Sequence, residues 1–411
     1  MRKKLLPKNL LVLLLLLLMT LTSTMAALAQ DVDLPAPFCG ELADDDCELL
    51  ADSQTAMLDI QEMTTSSQID LLIAGIPDLP FEEVSLSIAQ DSVIAMDPTV
   101  IQELTQLQSS LQSADASDMD AIMEDYMDLV IDLYSTLGLD SEVTIVLPED
   151  MAALLSEEAG GIEIPEEITL QARMVDGFLY MNLDDLAAAI PELGEMQGWF
   201  GLDIATFMSD MLAQASAEAN SSDMASFQMG MGAGSMLNSE EVRGMLEEFV
   251  NVERLDDDAI DMQDVAVFST TFDFGGFVAS EGFQELIREN LDMINQMADT
   301  SVTEAELDEV MLGLRFLGPS LFQDLEFEVL QSIGLEDNYI YHTETHFAWD
   351  LQTIMALAAM ADGGQREMPD VAPVVNFDLV QDSGDFNDAP EIEAPEDAQI
   401  IPLEALEEGM N

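Results

Sequence analysis

Basic residues are almost missing from this chain. Ten lysines and arginines stand against 83 aspartates and glutamates, and four of the ten (Arg2, Lys3, Lys4, Lys8) fall within the first eight positions. A surface with so few cations cannot neutralise phosphates, which excludes nucleic acid and anionic membrane surfaces as partners. Cationic partners and divalent cations stay compatible with it. Histidine, tryptophan and cysteine are also scarce, at two each. So few tryptophans make a poor sugar-stacking platform, and two cysteines rule out a disulfide-dense scaffold. No Gly-x-Ser-x-Gly elbow and no phosphate-cradling glycine loop occurs. The chain therefore reads as no enzyme, with no catalytic residue and no cofactor to assign. An unrecognised hydrolase is the least favoured of the alternatives.

The early cations precede a leucine-rich run from Leu10 to Leu18, which leads to Ala27-Leu28-Ala29. A basic start, a short apolar stretch and an Ala-x-Ala exit are the marks of a secretory signal peptide over residues 1–29. The chain is then expected outside the cytoplasm, secreted or periplasmic, with no integral membrane span after cleavage. The remainder holds six arginines against 83 carboxylates, a net charge of −77. With 48% hydrophobic residues it can still bury a sizeable core. Self-repulsion on such a surface predicts that stability rises with salt. Cys39 and Cys47, with no third cysteine, are expected to form one disulfide in an oxidising compartment, within an extended segment over residues 30–48.

Residues 49–382 read as one α+β domain. Apolar positions predict a short helix near Leu49 to Ile60, strands over Gln68–Gly75 and Val84–Met96 (with a turn at Gln90-Asp91-Ser92), and a helical hairpin from Val100 to Leu133. Val143–Leu147 and Ile168–Asn182 come after it as strands, the second a hairpin turning at Asp176-Gly177. Helical material is expected over Leu183–Met211. Residues 213–238, rich in Ser, Gly and Met, read as a loop. Helices capped by Ser280 and by the Thr303-x-x-Glu306 box come next. Strands over Leu325–Ile333, Tyr339–Trp349 and Val374–Val380 close the domain, and residues 383–411 read as a loosely held acidic, Pro-rich tail.

Four clusters invite a metal reading. His342, Glu344 and His346 alternate along one strand, but residues four apart on a strand lie ~13 Å apart, too far for one ion. They read better as a solvated polar face. Met224, Met229, Met231 and Met236 read better as adaptable apolar surface than as a copper site. Asp44-Asp45-Asp46 and Asp256-Asp257-Asp258 lack the ligand spacing of a calcium loop. No metal ligand is assigned. The other face of the histidine strand carries Tyr339, Tyr341, Thr343, Thr345, Phe347 and Trp349, which either line an apolar cavity or fill a sheet core.

The run from Val143 through Phe207 resembles bacterial lipoprotein carriers of the LolA/LppX-like kind. The resemblance rests on strand Val143–Leu147, the Pro148-led helix, strand Ile168–Met174, the hairpin Val175-Asp176-Gly177-Phe178-Leu179-Tyr180-Met181-Asn182, Trp199 and the helix from Leu202. Val265–Phe283, Asp324–Asp350 and the Phe386–Pro395 stretch resemble the second half of such proteins. The resemblance implies a curved antiparallel half-barrel with helices packed on its concave face, enclosing an apolar cavity for acyl chains. The chain departs from it in length, in acidity and in lacking a lipidation cysteine. The expected function is then non-enzymatic binding of lipid or a lipidated partner, with Phe178, Tyr180, Trp199, Tyr339, Tyr341, Phe347 and Trp349 lining the cavity. The alternative is a structural or interaction protein with a filled core and a cation-binding acidic surface.

Overall fold

The structure, a computed structural model, describes residues 37–76, 83–113, 119–158, 164–189, 197–207, 209, 240–291, 295, 302–361 and 373–402. The expected signal peptide over residues 1–29, residues 30–36, the expected loop over 213–238 and residues 403–411 lie outside these. Among the described residues the chain forms helix α1 (Asp44–Leu58), strands β1 (Glu62–Ala74) and β2 (Glu83–Ala95), and helices α2 (Pro98–Ser113) and α3 (Met119–Thr136). Next are strand β3 (Gly138–Val146), helix α4 (Glu149–Glu158), strands β4 (Glu167–Val175) and β5 (Phe178–Asn182), helix α5 (Asp184–Ala189) and strand β6 (Trp199–Asp203). Then come α6 (Glu240–Leu246), β7 (Val250–Arg254), β8 (Asp258–Ile260), β9 (Gln263–Phe272), α7 (Phe274–Ala279), α8 (Glu281–Glu289) and α9 (Glu304–Leu321). The last elements are β10 (Leu325–Gly334), β11 (Ile340–Asp350), α10 (Gln352–Ala361), β12 (Val374–Gly384) and β13 (Gln399–Ile400).

All thirteen strands join one open sheet, in the order β13-β6-β5-β4-β3-β2-β1-β12-β11-β10-β9-β7, with β8 beside β9. Every pairing is antiparallel except β13 with β6. The α+β class with a large open antiparallel sheet is thus as expected. Period-two alternation gives the sheet one apolar and one polar face, and the helices cover the apolar one. Met57 of α1, Tyr134 of α3 and Ala187 of α5 pack on a core of Met63, Ile94, Leu139, Leu170, Met174 and Leu179. At the other end Leu50 of α1 covers Val252, Ala266, Phe268 and Ile333.

Local signals act as the sequence predicts. Asp176 and Gly177 both take positive φ, the backbone that a two-residue hairpin between paired Val175 and Phe178 requires. The side chains of Ser280 and Thr303 cap α8 and α9, the latter as a complete capping box. Cys39 and Cys47 are bonded, with Cα atoms 5.4 Å apart.

Four sequence expectations are corrected. Strand β1 starts at Glu62 and β2 runs unbroken through Gln90-Asp91-Ser92, because Gln90 and Ser92 point inward and bond Ser141 instead of turning the chain. Trp199–Asp203 is a strand paired with β5 rather than helix, and the helical residues begin at Ile204. Helix α10, unforeseen, sits between β11 and β12. Finally, residues 385–401 are no loose tail. They cross the polar face as a strap, held at Asn387 to Glu62 O and Gln61 N, at Glu393 O to Arg173, and at β13 to β6.

Candidate functional site

Strand register assembles the most distinctive surface of the molecule. On the helix-bearing face, five strands align three apolar rows. The first is Leu325–Trp349–Val375–Ile73–Val84, the second Phe327–Phe347–Phe377–Leu71–Leu86, and the third Val329–Thr345–Leu379–Ile69–Ile88. At ~4.8 Å between strands and ~7 Å between rows, they span about 19 Å by 14 Å. Every one of these side chains is half-buried, none fully buried. Two helices reach the edge of the patch. Trp349 stacks on Phe322, just past α9, at 5.3 Å and donates its indole N–H to Leu321 O. Phe274 of α7 meets Phe327 edge-on at 6.0 Å.

The same face is closed at the other strand ends. Met63, Ile94, Leu139, Met174 and Leu179 form one cross-strand row and are at most 6% exposed. Between the closed core and the half-buried rows lies a belt of neutral polar side chains. One row of it is Gln331–Thr343–Gln381–Ser67–Gln90, the next Ser383–Thr65–Ser92–Ser141. Its buried end is satisfied internally, with Gln90 Nε2 donating to Ser92 and Ser141 at 2.9 and 3.1 Å. Sequence reasoning missed this belt, though Ser, Thr and Gln at alternate positions of β1, β2, β11 and β12 are its signal.

Register divides the seven aromatic residues expected to line a cavity. Phe347 and Trp349 sit in the apolar rows. Tyr341 lies six residues, ~20 Å, up the strand from Phe347, where the register skips it between the Ser332–His342 and Ile333–Ile340 pairs. There it meets Phe386 at 5.2 Å and its hydroxyl donates to Asp337 at 2.6 Å. Burial, and then that carboxylate, push its phenol well above the ordinary tyrosine range. Tyr339 packs on Phe386 at 4.6 Å. Phe178, Tyr180 and Trp199 lie on the opposite, polar face. Arg173 lies over Trp199 at 5.2 Å, and Ile400 of the strap sits with Tyr180 around Gly201. These three belong to the seat of the strap.

The polar face carries His342, Glu344 and His346, as alternation predicts. Each histidine meets an aspartate of β12, His342 Nδ1 with Asp382 at 2.7 Å and His346 Nδ1 with Asp378 at 2.5 Å. The Asp378 hydrogen bond raises the His346 pKa against the opposing cost of desolvation, aided by the charges of Asp378, Glu326 and Glu328. Among the described residues no three His, Cys, Asp or Glu side chains gather where they could hold a metal ion. An open cleft of about 840 Å³ lies at the strand ends, lined by Asp59, Gln61, Glu62, Ala95, Met96, Asp97, Pro98, Thr99 and Thr136. None of the seven aromatics lines it. Among the described residues no helix is long and apolar enough to cross a membrane.

No family model matches the chain, and no curated protein does. Two solved structures can be overlaid on it. Lipoprotein LppX of Mycobacterium tuberculosis is 6% identical, with a TM-score of 0.26, covering 85% of this chain and 100% of its own. LprF from Mycobacterium bovis is 9% identical, with a TM-score of 0.27, covering 86% of this chain and 98% of its own. Overlays this loose carry no argument about ligand or mechanism, which must come from the chain itself.

Proposed function

We propose that this is an extracytoplasmic, non-enzymatic binding protein that shelters an apolar ligand, such as a lipid or the acyl chains of a lipidated partner, against the helix-bearing face of its sheet. The observation that carries the reading is the contrast along one face: the Met63–Leu179 row is sealed, while three rows on β10, β11, β12, β1 and β2, large and apolar but for Thr345, are only half-buried. Covering those rows with a chain of methylenes removes apolar area from water at roughly 25 cal/mol per Å². Binding of this sort needs no reactive group and no metal. Phe347 and Trp349 remain lining residues in this reading. Tyr339 and Tyr341 stand at the far end of the face, and Phe178, Tyr180 and Trp199 brace the strap.

Native mass spectrometry of protein taken from its own host tests the reading. An added mass that organic extraction removes is expected, and Phe377→Asp, which puts a charge in the middle row, should abolish it. A bare polypeptide mass, together with no uptake of a fluorescent acyl probe by the extracted protein, would overturn the proposal and favour a filled core.

A further inference from the structure

Charge is completely sorted between the two faces of the five strands that carry the apolar rows. Glu62, Asp70, Glu83, Asp91, Glu326, Glu328, His342, Glu344, His346, Asp350, Asp378 and Asp382 all fall on the polar face by register. By register the helix-bearing face of the same strands holds no ionisable side chain, and the Tyr341 phenol, at the break in register, is engaged by Asp337. It is not wholly apolar, however. The Gln331–Thr343–Gln381–Ser67–Gln90 row adjoins the open apolar rows directly. Among the described residues Gln331, Thr343, Thr345 and Ser67 make no side-chain hydrogen bond, whereas Gln90, Ser92 and Ser141 bond one another. All four are half-buried. Hydrogen-bonding groups held against an apolar surface and left without protein partners favour a ligand that supplies the missing donors and acceptors.

We infer that the ligand is an uncharged amphiphile, with hydroxyl or ester groups against the Gln331–Thr343–Gln381–Ser67 row and an acyl chain along the three apolar rows. This rests on the apolar-ligand reading above and adds the polar end to it. From the belt to the Trp349 row the face runs three rows, ~20 Å, enough for a long chain laid along the strands. A carboxylate or phosphate headgroup meets no cation on these five strands, and Arg254 of β7, in line with the belt row beyond Phe268, is already engaged by Asp46 and Asp257. The headgroup also lies within a chain of net charge −73, so it is disfavoured twice. A pure hydrocarbon leaves Gln331, Thr343 and Ser67 unpaired, and Gln381 with only its 3.5 Å donation to Ser383. The neutral amphiphile satisfies both ends. Thr343 and Gln381 become specificity-determining residues, since they sit at the centre of the belt on adjacent strands.

Three probes of similar chain length test this on the extracted full chain: monoolein, oleate and hexadecane, with binding followed by native mass spectrometry and by displacement of a fluorescent acyl probe. Monoolein is expected to bind roughly tenfold or more tightly than either of the others, the discrimination typical of a site built to pair a hydroxyl. In the double variant Thr343→Val with Gln381→Leu, monoolein should lose that advantage while hexadecane binds as well or better. The variant's unchanged thermal melt and hexadecane binding certify its fold. If oleate binds as tightly as monoolein, or if the variant keeps the monoolein preference, the neutral-headgroup inference fails while the apolar site stands. If none of the three binds, the apolar site itself fails.

Discussion

His346 shows how one side chain reports on the charge around it. Its partner Asp378, with Glu326 and Glu328 behind, keeps the imidazole protonated above its ordinary 6.5. A group whose pKa is higher folded than unfolded contributes fully below the unfolded value and loses that contribution as pH rises through the folded one. Melting temperature is therefore expected to carry a downward component as pH climbs above about 6.5, and Asp378→Asn should flatten it. The effect will be small, because His346 is 38% exposed and solvent screens the pair. A pH slope identical in the variant would remove His346 from the account. Gly201 shows steric control instead. A Cβ there would stand 2.6 Å from Ile400 Cδ1 and 2.8 Å from Tyr180 Cε1. Gly201→Ala should loosen β13 at a cost of about 1–2 kcal/mol, read from a denaturant melt. Neither constraint is legible in the sequence, since both depend on partners far along the chain.

At the scale of elements, the strap over residues 385–401 departs most from the sequence reading. Its Pro- and Glu-rich composition speaks for a loose tail, and composition says nothing about where a segment lands. Here a few apolar side chains pin it: Phe386 against Tyr339 and Tyr341, Ile392 near Gly138, Ile400 beside Gly201. Phe386→Ala should destabilise the fold by about 2 kcal/mol, and a change below about 0.5 kcal/mol would return the segment to a loose tail. The Cys39–Cys47 disulfide was legible, because two lone cysteines have only each other. Its bond holds the segment that supplies Phe38 and Leu42 to the Leu50–Phe268 core. Reduction should cost about 2–3 kcal/mol, detectable as a lower urea midpoint. The hairpin at Asp176-Gly177 and the caps at Ser280 and Thr303 were legible for a related reason: their physics is local. Strand β6 and the unbroken β2 were not. Trp199–Asp203 is too short to show alternation, and Gln90 looks like turn material until Ser141, 51 residues away, becomes its neighbour.

Across the whole molecule, net charge and sheet register act together. Register sets Asp70 opposite Asp378 and Asp91 opposite Glu142, like charges directly across strands of the polar face. Such pairs are destabilising and their repulsion is screened by salt. Melting temperature should therefore rise between about 0.01 and about 1 M NaCl, as the screening length falls from about 30 Å to about 3 Å. Asp91→Asn should raise it at low salt and shrink the salt dependence. A melting temperature flat across that range would show that the acidic surface is spread too thinly to matter. The same register that crowds the acids clears the opposite face of charge, and so leaves room for an apolar ligand with a neutral head.

The sequence by itself determined the chain's acidity, the disulfide, the α+β class and the alternation that gives each long strand a polar and an apolar side. These stem from composition and from contacts a few residues apart. Only the tertiary structure decided which strands stand side by side. That choice aligned Phe327, Phe347, Phe377, Leu71 and Leu86 into one row and set a neutral polar belt beside it. It also turned Phe178, Tyr180 and Trp199 away from that face. The physical reason is that pairing between strands hundreds of residues apart is won by the packing of the whole sheet, which no local stretch of sequence contains.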